Sequence, residues 1–306
     1  EISIVIPVYN NKPSLKKLFN ELMKIKDNFL NRQKQIEILF IDDGSKDNSF
    51  EELLNLKKLF KNIKIVKLLK NYGSNNAVQI GLNEASGKYV CVLSADLQDN
   101  PNLILEMYDI IINENENLVI CERRTREDSM LSLVLAKLFY KLFLSAVDVN
   151  YPKNGFDVFM IKNDLLKNIN TNLRNPTISL MIATQGYKFK KIGYDRSKRE
   201  FGKSEWTFKK KMSFFWDIFI RYSDLPIKIV SRFGFLFSLI SFMYGIYILS
   251  MNLIYGSEVQ GFTTIAVLIS FCSGLIIFTL GLVGEYLIRI YKIVEKNEGV
   301  IIEKII

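Results

Sequence analysis

Residues 36–60, IEILFIDDGSKDNSFEELLNLKKLF, contain a complete strand-to-helix unit. The β-rich run 36–41 predicts a buried strand, and the polar residues after it include cap candidates for a helix over 51–60. Asp42 and Asp43 stand at the junction between the two elements. Two carboxylates therefore follow the carboxyl end of a strand, which is where open α/β sheets bind their ligands.

The same alternation continues on both sides of this unit. Further strands are predicted at 2–8, 63–69, 89–94 and 118–121, with helical periodicity between them. This order predicts an α/β domain with a doubly wound, mostly parallel sheet. The first strand is followed by Tyr9 and Asn10, and the fourth by Asp96, Gln98 and Asp99. Three strand ends thus bring acidic or polar side chains to one edge of the predicted sheet.

The composition excludes several classes of site. The 306 residues include no histidine and carry a formal net charge of +9. A Ser-His-Asp triad, a Cys-His pair and a His-ligated zinc site all need an imidazole, so none can be built. Cys91, Cys121 and Cys272 stand singly in apolar runs, which argues against a disulfide framework or a thiolate metal site.

The predicted strand ends also lack the usual phosphate-binding loops. No GxGxxG follows the first strand, and residues 81–88 depart from a P-loop in spacing and in having Tyr89 where Ser or Thr is needed. An edge rich in carboxylates remains, which suits a hard divalent cation, Mg²⁺ or Mn²⁺, with oxygen ligands. We expect that cation to hold a diphosphate, and we expect no nucleic acid partner.

The C-terminal third has the pattern of a membrane segment. Residues 233–254 and 259–284 are uncharged runs of 22 and 26 residues, longer than the roughly 18 that indicate a bilayer-spanning helix. Lys and Arg precede the first run and follow the second, while the connector 255–258 has none. The positive-inside rule then places the N-terminal domain and the tail in the cytosol. The alternative is a buried helical hairpin in a soluble protein.

Residues 201–228 mix aromatic and basic side chains in the manner of a helix lying in the headgroup plane. The alternative is a solvated face of the preceding domain. The predicted organisation is a catalytic domain over 1–200, interfacial amphipathic helices over 201–228, two transmembrane helices over 229–286 and a cytosolic tail over 287–306. No charged-then-apolar leader follows Glu1, so we expect no signal peptide and a multi-pass protein of the cytoplasmic membrane.

Five segments in order resemble the family 2 glycosyltransferases. They are SIVIPVYN at 3–10, FIDDGSKDNS at 40–49, KNYGSNNAVQIGL at 70–82, SADLQDNP at 94–101 and EFGKSEW at 200–206. With the C-terminal hairpin, they look most like the polyprenyl-phosphate group, which contains bactoprenol glucosyltransferases and dolichol-phosphate mannosyltransferases. The resemblance covers nearly the whole chain.

The resemblance implies a GT-A fold and an inverting, metal-dependent transfer of a sugar. The donor would be a nucleotide-diphosphate sugar such as UDP-glucose, and the acceptor polyprenyl (undecaprenyl) phosphate in the cytosolic leaflet. Mg²⁺ or Mn²⁺ would be the cofactor, and a homotetramer is implied. Two alternatives stay open: another lipid or polysaccharide hydroxyl as the acceptor, or a non-catalytic membrane scaffold with this fold.

The resemblance also implies roles for particular residues. The positions that match the family's nucleobase and ribose contacts are Pro7, Tyr9, Asp42 and Gly73. In the metal motif Asp-x-Asp-x-Gln, Asp96 and Gln98 match, whereas Ser94 replaces the first Asp and is a poorer ligand. The positions that match phosphate or acceptor contacts are Arg123, Arg199 and Lys203.

Asp157 matches, without a gap from Val149, the Asp that the family places beside the acceptor. One gap would instead put Phe156 at that position and turn Asp157 to the other face of its strand. Asp96 and Asp157 are thus the catalytic candidates. A phosphate acceptor is already an anion near neutral pH, so Asp157 would position groups, whereas a hydroxyl acceptor would need it as a base.

Overall fold

In a computed structural model, the chain divides into two compact units, Glu1–Asp217 with Glu298–Ile306, and Ile218–Asn297. The structure describes residues 1–124, 151–152, 155–166, 178–197 and 300–306, together with single helical residues between 243 and 290. All strands of the described residues lie in the first unit, where they form one eight-stranded sheet.

The strands, in chain order, are β1 (Ile2–Val8), β2 (Ile36–Asp42), β3 (Ile63–Leu68), β4 (Tyr89–Val92), β5 (Leu118–Arg123), β6 (Val158–Lys162), β7 (Lys190–Tyr194) and β8 (Ile302–Ile305). Their order in the sheet is β7-β5-β6-β4-β1-β2-β3-β8. The central strands are almost wholly buried, as their continuous Val, Ile and Leu runs require when both faces of a sheet are covered.

The helices are α1 (Lys12–Asn31), α2 (Ser49–Leu59), α3 (Ser74–Glu84), α4 (Leu103–Asn113), α5 (Asn163–Leu166) and α6 (Ile178–Thr184). Helix α1 has a proline in its first turn, where a missing N–H costs nothing, and it buries one apolar face. One core cluster includes buried side chains of α1, α2 and α4, and a second includes those of α3 and α6. The predicted α/β class is thereby confirmed.

The sheet is mixed, which corrects the prediction of a mostly parallel one. β1–β2, β1–β4, β2–β3 and β5–β7 are parallel pairs. β4–β6, β5–β6 and β3–β8 are antiparallel. β8 lies within residues 287–306, which the sequence pattern indicated only as a tail. A run of four residues at the end of the chain is too short to show the alternation that would identify it as a strand.

One edge of the sheet brings together the strand ends that carry the predicted site residues. β1 pairs with both β2 and β4, so the strand order reverses at β1, and this is where open α/β sheets bind ligands. The carboxyl ends of β1–β5 and β7 share this edge. Because β6 and β8 run antiparallel to their neighbours, they begin at it.

The predicted membrane segments lie mostly outside the described residues. The spans over 233–254 and 259–284 are described at single positions only, and the segment 201–228 is not described. Within the part of the chain that the structure describes, we find no helix with the length and apolar character needed to cross a bilayer.

Candidate active site

Asp42, the last residue of β2, is fully buried at the edge formed by the carboxyl ends of the parallel strands. Its Oδ1 accepts a hydrogen bond from the Ser45 N–H at 3.3 Å. Its Oδ2 is also buried and accepts none from any described residue. Burial raises the pKa of this carboxyl above its ordinary value, with the Ser45 hydrogen bonds acting in the opposite direction. Asp42 thus has a buried oxygen that is able to accept a hydrogen bond from the N–H of a ligand bound between the strand ends.

Asp43 holds the loop that follows β3. Its two carboxylate oxygens accept hydrogen bonds from the Tyr72 N–H at 2.7 Å and the Gly73 N–H at 2.8 Å. Burial raises the pKa of Asp43 to about 6, although both hydrogen bonds lower it. Gly44 has φ +68°, and a Cβ there would lie 2.6 Å from the Lys70 carbonyl carbon. The two loops are therefore in backbone contact, which brings Gly73 beside the end of β2.

The other two predicted nucleotide-binding residues belong to the neighbouring strand end. Pro7 lies in β1 opposite Ile41, and the Tyr9 N–H donates to Asn11 Oδ1 at 2.9 Å. The Asp43 N–H donates to the Val8 carbonyl at 2.8 Å, which ties the ends of β1 and β2 together. The structure thus places Pro7, Tyr9, Asp42 and Gly73 at three adjacent strand ends.

The loop after β4 carries the predicted metal ligands. Asp96 is 9% exposed, and its Oδ1 accepts the Gln98 N–H at 3.2 Å. The Gln98 side-chain amide donates to the Ser197 carbonyl at 3.2 Å. The Ser94 hydroxyl donates to Asp99, which is fully buried and also accepts the Tyr194 hydroxyl at 2.7 Å. Ser94 is therefore engaged with a carboxylate of its own loop.

These residues offer a divalent cation few ligands. Among the described residues no group of three Asp, Glu or Cys side chains is placed to hold a metal ion. Asp96 supplies a carboxylate near the surface, whereas that of Asp99 is enclosed by donors. Mg²⁺ is commonly held by one or two carboxylates together with substrate phosphates. The loop fits a cation on those terms only, with the phosphates of a bound nucleotide completing the ligand set.

Arg123 and Asp157 form an ion pair at the same edge. Arg123 ends β5 and is 19% exposed at its side chain, while Asp157 precedes β6 and is 67% exposed. Burial lowers the pKa of Arg123, but Asp157 and Tyr194 outweigh that effect and raise it overall, so the guanidinium stays charged. Phe156 is buried in the core. Two residues chosen separately from the sequence are thus in contact.

Two further residues of this edge, Tyr194 and Arg196, were missed by the sequence reasoning, and both contact Asp99, which the sequence placed here without a role. The Tyr194 hydroxyl donates to Asp99 and is hydrogen bonded to Arg123, and burial followed by the Asp99 charge raises its pKa. The Arg196 Nε lies 3.2 Å from Asp99 Oδ1. The short run KKIGY, which ends at Tyr194, gives little sign of a strand, so no sequence signal placed Tyr194 or Arg196 here. Arg199 and Lys203 lie outside the described residues.

Comparison with known proteins shows the family of the chain. The sequence model of the family described as glycosyl transferase family 2 matches residues 3–184, more than half of the chain. The chain belongs to the family 2 glycosyltransferases. An uncharacterized glycosyltransferase of Synechocystis sp. is 31% identical over 95% of this chain and 91% of its own length.

A second relative of this glycosyltransferase has a more specific description. The undecaprenyl-phosphate 4-deoxy-4-formamido-L-arabinose transferase of Proteus mirabilis is 27% identical over 100% of this chain and 94% of its own length. Both relatives extend across the C-terminal third as well as the sheet domain.

Solved structures show the same fold. Glucosyl-3-phosphoglycerate synthase from Mycobacterium tuberculosis, in complex with Mn²⁺, UDP and its glucosylated product, aligns with a TM-score of 0.50 at 14% identity. That alignment covers 71% of this chain and 76% of the other. Mannosyl-3-phosphoglycerate synthase from Rubrobacter xylanophilus aligns with a TM-score of 0.50 at 17% identity over 76% and 74% of the two chains. The glycosyltransferase therefore has a GT-A-like α/β fold.

Proposed function

We propose that this glycosyltransferase moves a sugar from a nucleoside-diphosphate sugar to polyprenyl phosphate at the cytosolic face of a membrane. The observation that carries the proposal is the pairing of Arg123 with Asp157 on the strands next to the Asp96 loop. A cation for an anionic acceptor then lies beside the loop that faces the donor phosphates. The similarity to an undecaprenyl-phosphate transferase over the full chain supports the same acceptor.

The β1, β2 and β3 ends would bind the nucleoside of the donor. Asp42 has a buried carboxylate oxygen without a hydrogen bond from any described residue. Leaving such an oxygen unpaired costs on the order of 1–3 kcal/mol, which a ligand N–H would recover. Uracil presents an N–H at N3 and guanine presents one at N1, whereas the N3 of cytosine is an acceptor and its N–H donors lie on the N4 amino group instead. We expect UDP or GDP sugars to be preferred over CDP sugars.

The β4, β5, β6 and β7 ends would carry the reaction. An oxygen of the acceptor phosphate attacks the anomeric carbon, and the bond from that carbon to the β-phosphate oxygen of the donor breaks, releasing the nucleoside diphosphate. The acceptor is a phosphate monoester with a second pKa near 6, so its oxygen needs no base at neutral pH. Arg123 would hold the acceptor phosphate, and Asp157 would hold Arg123 in place.

Asp96, with Gln98 beside it, would hold Mg²⁺ or Mn²⁺ together with the donor phosphates. When bound, the cation would neutralise negative charge on the leaving diphosphate. The low exposure of Asp96 favours this role, since a shielded carboxylate interacts more strongly with a cation than an exposed one.

The sheet supports the proposed membrane topology. β8 follows the C-terminal apolar runs in sequence, yet it pairs with β3 of the catalytic domain. Residues before 198 and after 299 are thus on the same side of any membrane, and the chain between them must cross it an even number of times. Ten described residues between 243 and 290 are large apolar side chains more than half exposed on helix, a pattern typical of lipid contact.

A transfer assay tests the proposal. Membranes containing the full chain are supplied with polyprenyl phosphate and with radiolabelled UDP, GDP and CDP sugars in turn, with Mn²⁺ or Mg²⁺. We expect label from one UDP or GDP sugar in an organic-extractable lipid that mild acid cleaves. Folded enzyme that labels no lipid with any of these donors would overturn the polyprenyl proposal.

The role of Asp157 has a matched control in Asp195. Asp195 directly follows β7 and forms a more distant ion pair, with Arg124. We expect Asp157→Asn to raise the KM for polyprenyl phosphate several-fold while the pH profile of kcat keeps its shape. Asp195→Asn should leave both unchanged. Loss of kcat by a factor of about 1,000 in Asp157→Asn, with a changed pH profile, would indicate a general base and hence a hydroxyl acceptor.

A further inference from the structure

One guanidinium contacts both carboxylates of the loop after β4. The Arg196 Nε lies 3.2 Å from Asp99 Oδ1, and its Nη2 lies 3.9 Å from Asp96 Oδ2. The Arg196 side chain is 23% exposed, Asp99 is fully buried and the Asp96 side chain is 11% exposed. The positive charge is therefore shielded from bulk water, and it lies beside the carboxylate that would hold a divalent cation.

The backbone fixes Arg196 in this position. The Ser197 N–H donates to the Gln98 carbonyl at 2.9 Å, and the Gln98 side-chain amide donates back to the Ser197 carbonyl at 3.2 Å. Tyr194, two residues earlier, ends β7 and donates to Asp99. The segment 194–197 is thus attached to the loop 96–99 on both sides of Arg196, which distinguishes this residue from a freely moving surface arginine.

The charge of the loop differs from the pattern that the resemblance implies. Ser94 stands where the metal motif has its first Asp, so the loop has one negative charge fewer. The Ser94 hydroxyl donates to Asp99, and Arg196 adds a positive charge to the same group of side chains. Fewer carboxylates weaken the attraction for a cation, while the guanidinium strengthens the attraction for an anion.

We propose that Arg196 binds the diphosphate of the donor directly and supplies part of the positive charge that a divalent cation supplies. This inference rests on the proposed donor site at the same edge. A planar guanidinium matches two phosphate oxygens at once, and such charge-assisted hydrogen bonds are among the strongest that proteins form. The enzyme then binds a nucleoside diphosphate without metal, and the cation increases that affinity without being required for it.

Calorimetric titration of the full-length enzyme in detergent, with UDP and GDP as probes, tests this directly. Each titration is run once in EDTA and once in Mn²⁺. We expect the unsubstituted enzyme to bind one of the two nucleotides in EDTA, and Arg196→Gln to weaken that binding on the order of tenfold to a hundredfold. In Mn²⁺ the same substitution should have a smaller effect. Arg196→Lys keeps the charge but loses the two-point geometry, so it should lose metal-free affinity by less than Arg196→Gln does.

Arg124→Gln is the matched control, because Arg124 ends the same β5–β7 pair, has a side chain 65% exposed and pairs with Asp195 only at 3.7 Å. It removes the same charge and should change neither titration. Binding that requires Mn²⁺ in the unsubstituted enzyme, or equal effects of Arg124→Gln and Arg196→Gln in EDTA, would overturn the role of Arg196 while leaving the proposed function intact. No binding of either nucleotide even with Mn²⁺ would instead contradict the proposed donor.

Protein folding does not confound the outcome. Binding in Mn²⁺ reports whether each variant retains a formed site, and the titrations of the unsubstituted enzyme and of Arg196→Lys decide the matter if Arg196→Gln fails to fold. A folded Arg196→Lys that loses metal-free binding by more than a hundredfold would show that charge at this position is not what holds the diphosphate.

Discussion

Replacing Gly44 by alanine should disturb the proposed nucleotide-binding edge through close contacts with the loop after β3. Gly44 follows Asp42, which ends β2, and Asp43, and it has φ +68°. An added Cβ would lie 2.6 Å, 2.8 Å and 2.9 Å from three backbone atoms of Lys70 and Asn71. Backbone atoms have no alternative rotamer, so the loop after β3 must move by about 0.8 Å to restore ordinary van der Waals contact.

The size of the effect can be separated into two parts. Alanine in the left-handed region costs about 1–2 kcal/mol, and forcing the loop apart adds about 1–3 kcal/mol by comparison with overpacked sites. Gly186→Ala isolates the first part, because Gly186 has φ +73° and its added Cβ would meet nothing within 4 Å among the described residues. The difference between the two variants in free energy of unfolding then gives the cost of the backbone contact alone.

Thermal unfolding and UDP binding of the full-length enzyme in detergent measure both consequences. We expect Gly44→Ala to unfold roughly 2–12 °C below Gly186→Ala, given a shift of about 2–4 °C for each kcal/mol in a domain of this size. It should also bind UDP more weakly, since the loop that Asp43 holds is displaced. Equal unfolding temperatures and equal UDP affinities in the two variants would refute the steric reasoning.

Three further predictions concern Asp43, Asp42 and β8. The pKa of Asp43 is raised from 3.8 to about 6, so the fold favours the protonated carboxyl. Its contribution to stability, up to about 3 kcal/mol, is complete below pH 4 and is lost as the pH rises through 6. The stability deficit of Asp43→Asn in chemical denaturation should therefore shrink between pH 4 and pH 7, and a constant deficit would contradict the raised pKa. Asp42→Asn should weaken UDP binding about tenfold or more while changing CDP binding less in calorimetry, because an amide can donate to cytosine; equal losses would argue against base recognition by Asp42. Deleting residues 302–306 removes the pairing with β3, including two hydrogen bonds of 2.9 Å between Ile65 and Ile306, and should lower the free energy of unfolding by about 2–4 kcal/mol. The control Glu303→Gln breaks only the half-exposed pair with Lys67 and should lower it by under about 1 kcal/mol. A deletion as mild as the point substitution would show that β8 does not support the sheet.

The positions of the acidic residues were predictable because local patterns carry them. Asp42 and Asp96 each follow a run of apolar residues, and the carboxyl ends of β2 and β4 lie at one edge in the structure as expected. Ser94 was recognised as a departure from the metal motif, but its hydrogen bond to Asp99 was not foreseeable. That contact depends on the conformation of the loop after β4, which the pattern of apolar residues does not predict.

The strand-helix alternation, the family and the edge where we propose that ligands bind could all be predicted from the sequence. Apolar periodicity and the residues at strand ends are local properties, and the chain has little freedom to fold against them. The partners of the buried polar groups follow only from the tertiary structure. Tyr194 and Arg196 reach Asp99 across about a third of the chain, and β8 reaches β3 from the C-terminus. A buried carboxylate must be paired, but which distant residue pairs with it follows from the strand order, and only the folded sheet sets that order.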